Sequence, residues 1–360
     1  MSSKAGEAPA PATYIWPFVA LSTLIITLWA VIFFDLLRVH DASFDNSHDD
    51  LLNLAMATAK DVEAAVKEID VTLIDLRDRW LDDPARFPIA VRNRQAYLAR
   101  DRTVQVAVID ANGIMAFTNL EPPAKPLDLS DREHFRVHLS RSTDELYISK
   151  PVLGRVSKRW TVQFTRPIYD ENAKFSGVLV LSVSPDYFTQ FVKSSTLPQR
   201  AVFNLMRSSG EFLSRYPTPE EALGKSATKA PYLDELTHEW GFFDKVSEID
   251  GIARLYTWRK LDGYPLVVVI GHAVDVILRP YHAQRRLLVL VGSGVSLLLL
   301  FIGYLNLRAI GQRRKVAAEL AANEERWRLG LERGRRHGGL LARLENNARL
   351  YAGRNRQQPG

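Results

Sequence analysis

Two stretches without a charge, Tyr14 to Phe34 and Leu287 to Leu307, constrain this chain more than any other feature. Each runs 21 residues, and at about 1.5 Å per helical residue each reaches about 30 Å, the thickness of the hydrocarbon core of a bilayer. A cleaved signal peptide has a shorter apolar run, of about 7–15 residues, and a small-x-small cleavage site; no such site precedes Asp35. A buried core helix seldom continues so far with no polar face. Both stretches therefore read as transmembrane helices, the first an uncleaved anchor.

The flanks set the orientation. The net charge of +6 is concentrated at the C-terminal end: from Arg308 onward there are 13 Lys and Arg against 5 Asp and Glu, leaving 34 against 36 before it. Arg308, Arg313, Arg314 and Lys315 follow the second stretch closely. Ends rich in Lys and Arg stay in the cytoplasm, whereas long loops translocate largely regardless of charge. This places residues 1–13 and 308–360 inside and the 252 residues from Asp35 to Arg286 outside, in the periplasm if the cell is bacterial and the membrane its inner one. The absence of cysteine excludes disulfides and cysteine-ligated zinc. An apolar content of 46% excludes a wholly disordered chain.

The outer segment opens with a helix over about 45–82. Leu52, Ala55, Ala59, Val62, Val66, Ile69, Leu73, Leu76 and Trp80 follow at alternating spacings of three and four, an unbroken heptad seam. Such a seam serves a dimer contact, here the favoured reading, or packing on the chain's own sheet. Asp82-Asp83-Pro84 ends it. From Val104 the period becomes two: VQVAVID, the turn Ala111-Asn112-Gly113 and IMAFTN read as a hairpin, and ELYISKPV, RWTVQFTRPIYD and FSGVLVLSVS as further strands. Asp131 to Leu139 reads as a short helix capped by Ser130. The pattern restarts at AVFNLMRSSGEFLSRYP and ends with three more strands before Ala273. The expected units are a distal one, about 85–190, and a proximal one, about 191–275.

The strings VAVIDANGIMAFTN, DLSDREHFRVHL, ISKPVLGRVSKRWTVQFTRPIYDENAKFSGVLVLSV and VFNLMRSSGEFLSRYP, set between two spans, resemble the double Cache sensor domains of bacterial transmembrane receptors, particularly those preceding PAS and diguanylate cyclase modules. The resemblance implies an α+β membrane protein: two transmembrane helices flanking a tandem PAS-like periplasmic domain with a long N-terminal helix. It also implies a small-molecule pocket in the distal unit, lined by Asp131, Arg132 and Phe135 on the helix, Tyr147 on the next strand, and Trp160 and Arg166 on the central strand. Guanidinium groups form paired hydrogen bonds to a carboxylate, and aromatic rings exclude water. In amino-acid-binding members a carboxylate closes the last distal strand; the matching residue here is Ser182, which disfavours an α-amino acid and favours a carboxylate or other anion.

Other motifs carry less. His134 and His138 share a helix face at i, i+4, but no third metal ligand is visible, so no metal and no cofactor is expected. Glu221-Ala222-Leu223 spells a cyclic-di-GMP phosphodiesterase tripeptide without room for its barrel. Walker, Gly-x-Ser-x-Gly and His-Glu-x-x-His patterns are missing, and the chain is not expected to be an enzyme. Residues 308–332 read as a cytoplasmic signalling helix. EERWRLGLE then resembles the start of a PAS domain, and the basic stretch 333–360 departs from it, as a truncated or frameshifted gene would, or as a natural basic tail held at the anionic inner leaflet would. The expected protein is a homodimeric sensor with a periplasmic ligand, a lipid bilayer and a cytoplasmic signalling partner, and no nucleic acid. The alternative is a non-catalytic envelope adaptor that binds another protein.

Overall fold

The computed structural model describes residues 16–97, 103–140, 143–193, 197–217, 220, 222–227, 233 and 238–354. Two compact units result: residues up to Leu36 together with those from Gln284 onward, and Leu37–Ala283 between them.

The first unit holds the two apolar segments. Helix α1 (Trp16–Asp82) begins in it, and helix α5 (Arg279–Arg354) runs through it. Both are long and apolar enough to cross a membrane, and only 6% of each apolar window is buried, unlike the core helix of a soluble protein. Gly292 faces the end of the Ile32 side chain and Gly303 that of Leu21, and Trp29 Nε1 donates to Ser296 Oγ at 3.1 Å. Small residues that let two backbones approach are the usual device of helix pairs in lipid.

Two boundaries differ from the sequence reading. The expected helix over 45–82 is the continuation of α1, because neither Gly nor Pro interrupts the chain between Phe18 and Asp83. Helicity in α5 likewise runs past 332 as far as Arg354.

In the second unit α2 (Phe87–Tyr97) leads to a sheet made of β1 (Thr103–Asp110), β2 (Met115–Thr118), β3 (Tyr147–Ile148), β4 (Val152–Leu153), β5 (Trp160–Tyr169) and β6 (Phe175–Val183). Its order is β2-β1-β6-β5-β3, with β4 on β5, and every pairing is antiparallel. Helix α3 (Glu133–Ser140) covers one face, and α4 (Asp186–Lys193) leads to the next sheet. That sheet consists of β7 (Val202–Arg207), β8 (Phe212–Tyr216), β9 (Trp240–Val246), β10 (Ala253–Lys260) and β11 (Leu266–Ala273), in the order β8-β7-β11-β10-β9. The strand order is the same in both lobes: an opening hairpin, with the last strand inserted beside its first.

Both sheets turn one face to α1. Ala55, Ala59, Val62, Val66, Ile69, Leu73 and Leu76 are buried against Val106, Val108, Phe164, Leu179 and Leu181 of the distal sheet and Phe203, Leu205, Leu255, Val268 and Ile270 of the proximal one. The seam favoured as a dimer contact is thus filled by its own chain. At its ends Leu51, not Leu52, is buried, and Trp80 is half-buried. The helix stops where the Asp83 carboxylate accepts the N–H groups of Ala85 and Arg86.

Candidate functional site

On its other face the distal sheet meets α3 and the loops around it. The turn after β1 is held by Asp110, whose carboxylate accepts the N–H groups of Asn112 and Ile114. Gly113 there has φ +86°, and a Cβ would stand 2.5 Å from Ser130 Cβ, so only glycine lets this turn lie under the segment that starts α3. Asp128 Oδ1 accepts the Ser130 N–H at 2.8 Å, and the helix begins at Glu133, with Arg132 next to it.

Between the sheet, α3 and the β4–β5 loop lies a cavity of about 40 Å³. Its floor is a polar row across three neighbouring strands. Gln105 of β1 stands opposite Ser182 of β6, which stands opposite Gln163 of β5. All three are buried. Ser182 Oγ donates to Gln163 Oε1 at 2.5 Å, Gln163 Nε2 to Thr161 Oγ1 at 2.7 Å, and Gln105 Nε2 to Thr118 Oγ1 at 2.9 Å. Ala107, Ile109 and Val180 form the apolar side.

Two cations stand over this floor. Arg155, in the β4–β5 loop, forms a paired bridge to Asp131 (Nη2–Oδ2 2.6 Å, Nη1–Oδ1 3.1 Å) and donates to the Asp128 carbonyl, tying the loop to the start of α3. That bridge lowers the Asp131 carboxyl pKa. Arg132 lines the cavity and makes no side-chain hydrogen bond or ion pair to a described residue. Burial, then the neighbouring Arg155, lowers its pKa, yet the group remains a cation. His134 is buried beside it, and desolvation, followed by Arg132, holds its pKa at about 4, so its imidazole is neutral near pH 7. The arrangement offers one guanidinium and several amide and hydroxyl groups to a small anion, with an ion pair at the rim.

The structure brings together Arg132 and Ser182 of the expected residues, with Asp131 at the rim as the partner of Arg155. The others lie elsewhere. Phe135 is buried under α3 against Ile109, Val178 and Phe175, beneath the helix instead of in the cavity. Tyr147 gives its hydroxyl to Glu133 Oε1 at 2.5 Å, and burial with that bond raises its pKa. Arg166 points to α1, where it grips Asp70 (2.6 and 2.9 Å) and also Asp144. Trp160 is 42% exposed at the start of β5. The reason is strand parity. Val162 and Phe164 face α1, so Trp160 and Arg166, an even number of residues away, cannot share the cavity face with Gln163. His138, buried on α3, lies with Nε2 2.8 Å from Thr165 Oγ1.

The sequence reading missed Gln105, Gln163 and Arg155. Gln105 and Gln163 had a signal: each is an uncharged polar residue set between apolar neighbours in a strand (Val104 and Val106; Val162 and Phe164), which costs free energy on burial unless something hydrogen-bonds it. Of the Glu-Ala-Leu tripeptide, Glu221 lies outside the described residues.

The profile of the Cache domain family matches residues 41–281. The chain belongs to that family. As a Cache protein it is similar to the extracellular domain of rpHK1S-Z16, a protein assigned as a histidine kinase, with 26% identity and a TM-score of 0.60, over 66% of this chain and 98% of that one. The ligand-binding domain of the Pseudomonas fluorescens chemoreceptor CtaA, solved with L-leucine, gives 14% identity and a TM-score of 0.51 over 66% and 99% of the two chains. That of the Pseudomonas aeruginosa PAO1 amino acid chemoreceptor PctB, solved with L-Gln, gives 15% and 0.51 over 64% and 93%. The last two likenesses show this Cache fold alone. No curated protein matches the chain.

Proposed function

We propose that this protein is a membrane-bound sensor whose distal Cache lobe binds a small anion, a carboxylate above all, and passes the change across the bilayer. The carrying observation is Arg132, a half-buried guanidinium without an acidic partner among the described residues, placed over the Gln105, Ser182 and Gln163 row. A cation in that position is satisfied by a carboxylate, and the floor supplies donors for its oxygens. A cavity of about 40 Å³ admits only a few heavy atoms while the Arg155–Asp131 bridge is shut; a larger ligand requires that bridge to open.

The two apolar helices and the Cache assignment support a transmembrane arrangement. The apolar helices cross the inner membrane with both ends cytoplasmic, the Leu37–Ala283 unit lies in the periplasm, and a homodimer conveys the bound state to a cytoplasmic partner or module. Membership in the Cache family supports binding, not catalysis. The envelope-adaptor alternative is the second reading, and the observation in its favour is the exposed cross-strand pair of Leu153 and Trp160.

The test is a thermal-shift screen of the Leu37–Ala283 unit, which carries its own core, against acetate, pyruvate, lactate, succinate and the amino acids. A ligand at about 100 times its Kd adds about 2.7 kcal/mol of stability. A carboxylate hit abolished by Arg132→Ala but retained by Arg166→Ala is the expected result. Hits confined to amino acids, or indifferent to Arg132→Ala, would reject the assigned chemistry.

A further inference from the structure

The proximal sheet carries a cavity of its own on the face turned away from α1, and at about 310 Å³ it is far larger than the distal one. Met206 of β7 and Val269 of β11 form its apolar floor, and the Tyr256 and Phe243 rings stack at its side, centroids 5.0 Å apart and planes 11° from parallel. Gly271 makes that wall possible: a Cβ there would stand 2.5 Å from Tyr256 Cε1. A flat or branched hydrocarbon body fits such a lining.

Charged groups stand behind and at the rim of this lining. Arg215, 2% exposed, lines the cavity and donates to Asn204 Oδ1 and to Asp250 Oδ2, both at 2.9 Å. Arg254, equally buried, grips both oxygens of the same Asp250 at 2.7 and 2.9 Å. Burial works against ionisation of Asp250, but the bonds from Arg254 and Ser247 outweigh it and hold the pKa at about 2. Lys225 stands exposed at the rim, and Lys245 pairs with Glu248 at 2.7 Å. Arg215 and Arg254 share Asp250, and Lys245 is held by Glu248, whereas Lys225 makes no ion pair to a described residue. A cation at the mouth of an apolar cavity is satisfied by a carboxylate.

We infer that the proximal lobe holds a second ligand site, independent of the distal one, for an organic anion with an apolar body, an aromatic or branched-chain carboxylate. The carboxylate meets Lys225 and Arg215, and the body lies against Tyr256, Met206 and Val269.

The experiment uses the full chain in lipid nanodiscs, titrated with phenylacetate, benzoate and isovalerate, and with phenylacetamide as the neutral counterpart of the first. Val269→Phe fills the cavity, Lys225→Glu reverses an exposed rim charge without touching the core, and Arg132→Ala disables the distal site. The expected result is saturable binding of at least one carboxylate, at least tenfold weaker for phenylacetamide if phenylacetate binds. It is lost in Val269→Phe, at least fivefold weaker in Lys225→Glu and unchanged in Arg132→Ala. Should Val269→Phe not fold, Lys225→Glu and Arg132→Ala decide between the sites. Failure of all three carboxylates to bind, amide binding as tight as phenylacetate, or loss in Arg132→Ala with retention in Lys225→Glu would overturn the inference.

Discussion

His134 sits where protonation is costly, buried against the distal sheet with Arg132 beside it, and its folded pKa of about 4 lies below the ordinary value of 6.5. Below pH 6.5 the unfolded chain takes up a proton that the folded one refuses, so the stability this residue contributes is complete above 6.5 and is lost as pH falls toward 4. The full span corresponds to on the order of 3 kcal/mol. Melting curves between about pH 7.5 and 4.5 are expected to show a shallower acid limb for His134→Gln than for the parent; superimposable limbs would assign the loss to other groups. Arg132 and Ser182 were named through the resemblance to double Cache domains, and both line the distal cavity. Trp160 and Arg166 were misplaced because both faces of β5 are buried, leaving no polar alternation to show which residues look toward α3. The parity of Val162 and Phe164, both apolar beside Gln163, held the answer.

Among the elements, the seam on α1 was the easiest to find and the easiest to misassign. Heptad spacing states that one face is buried, not against what, and two sheets of the same chain cover it. Leu73→Ala is therefore expected to cost about 2–5 kcal/mol in denaturant unfolding, by the same amount at every protein concentration. A cost that shrinks as concentration rises would place the seam at an interface between copies. The strands were legible from their period of two and from the turns at Asn112-Gly113 and Ser209-Gly210. The continuity of α1 was not, since the polar stretch from Asp35 to Asp50 marks the apolar edge without breaking the helix.

At the scale of the whole Leu37–Ala283 unit, the lobes are joined by more than α1. Arg207 of β7 reaches Glu133 of α3 at 3.5 Å and lies 5.7 Å from the centre of the Tyr147 ring, whose hydroxyl also holds Glu133. Glu133 is partly exposed, so the ion pair is screened, and a double-mutant cycle of Glu133→Gln with Arg207→Met is expected to give a coupling of about 0.5 kcal/mol; a coupling of zero would remove this tie from any account of how the lobes communicate. The repeated strand order was visible as two successive α+β units, whereas this tie pairs residues 74 positions apart and left no mark in local sequence.

That contact has a consequence in terms of linkage. Glu133 begins the helix that roofs the distal cavity, and Arg207 closes the strand that floors the proximal one. Coupling between two equilibria is reciprocal: whatever factor occupancy above imposes on affinity below is returned unchanged from below to above. With an input at each lobe, the molecule would weigh two chemical conditions jointly, each ligand setting how strongly the other is felt.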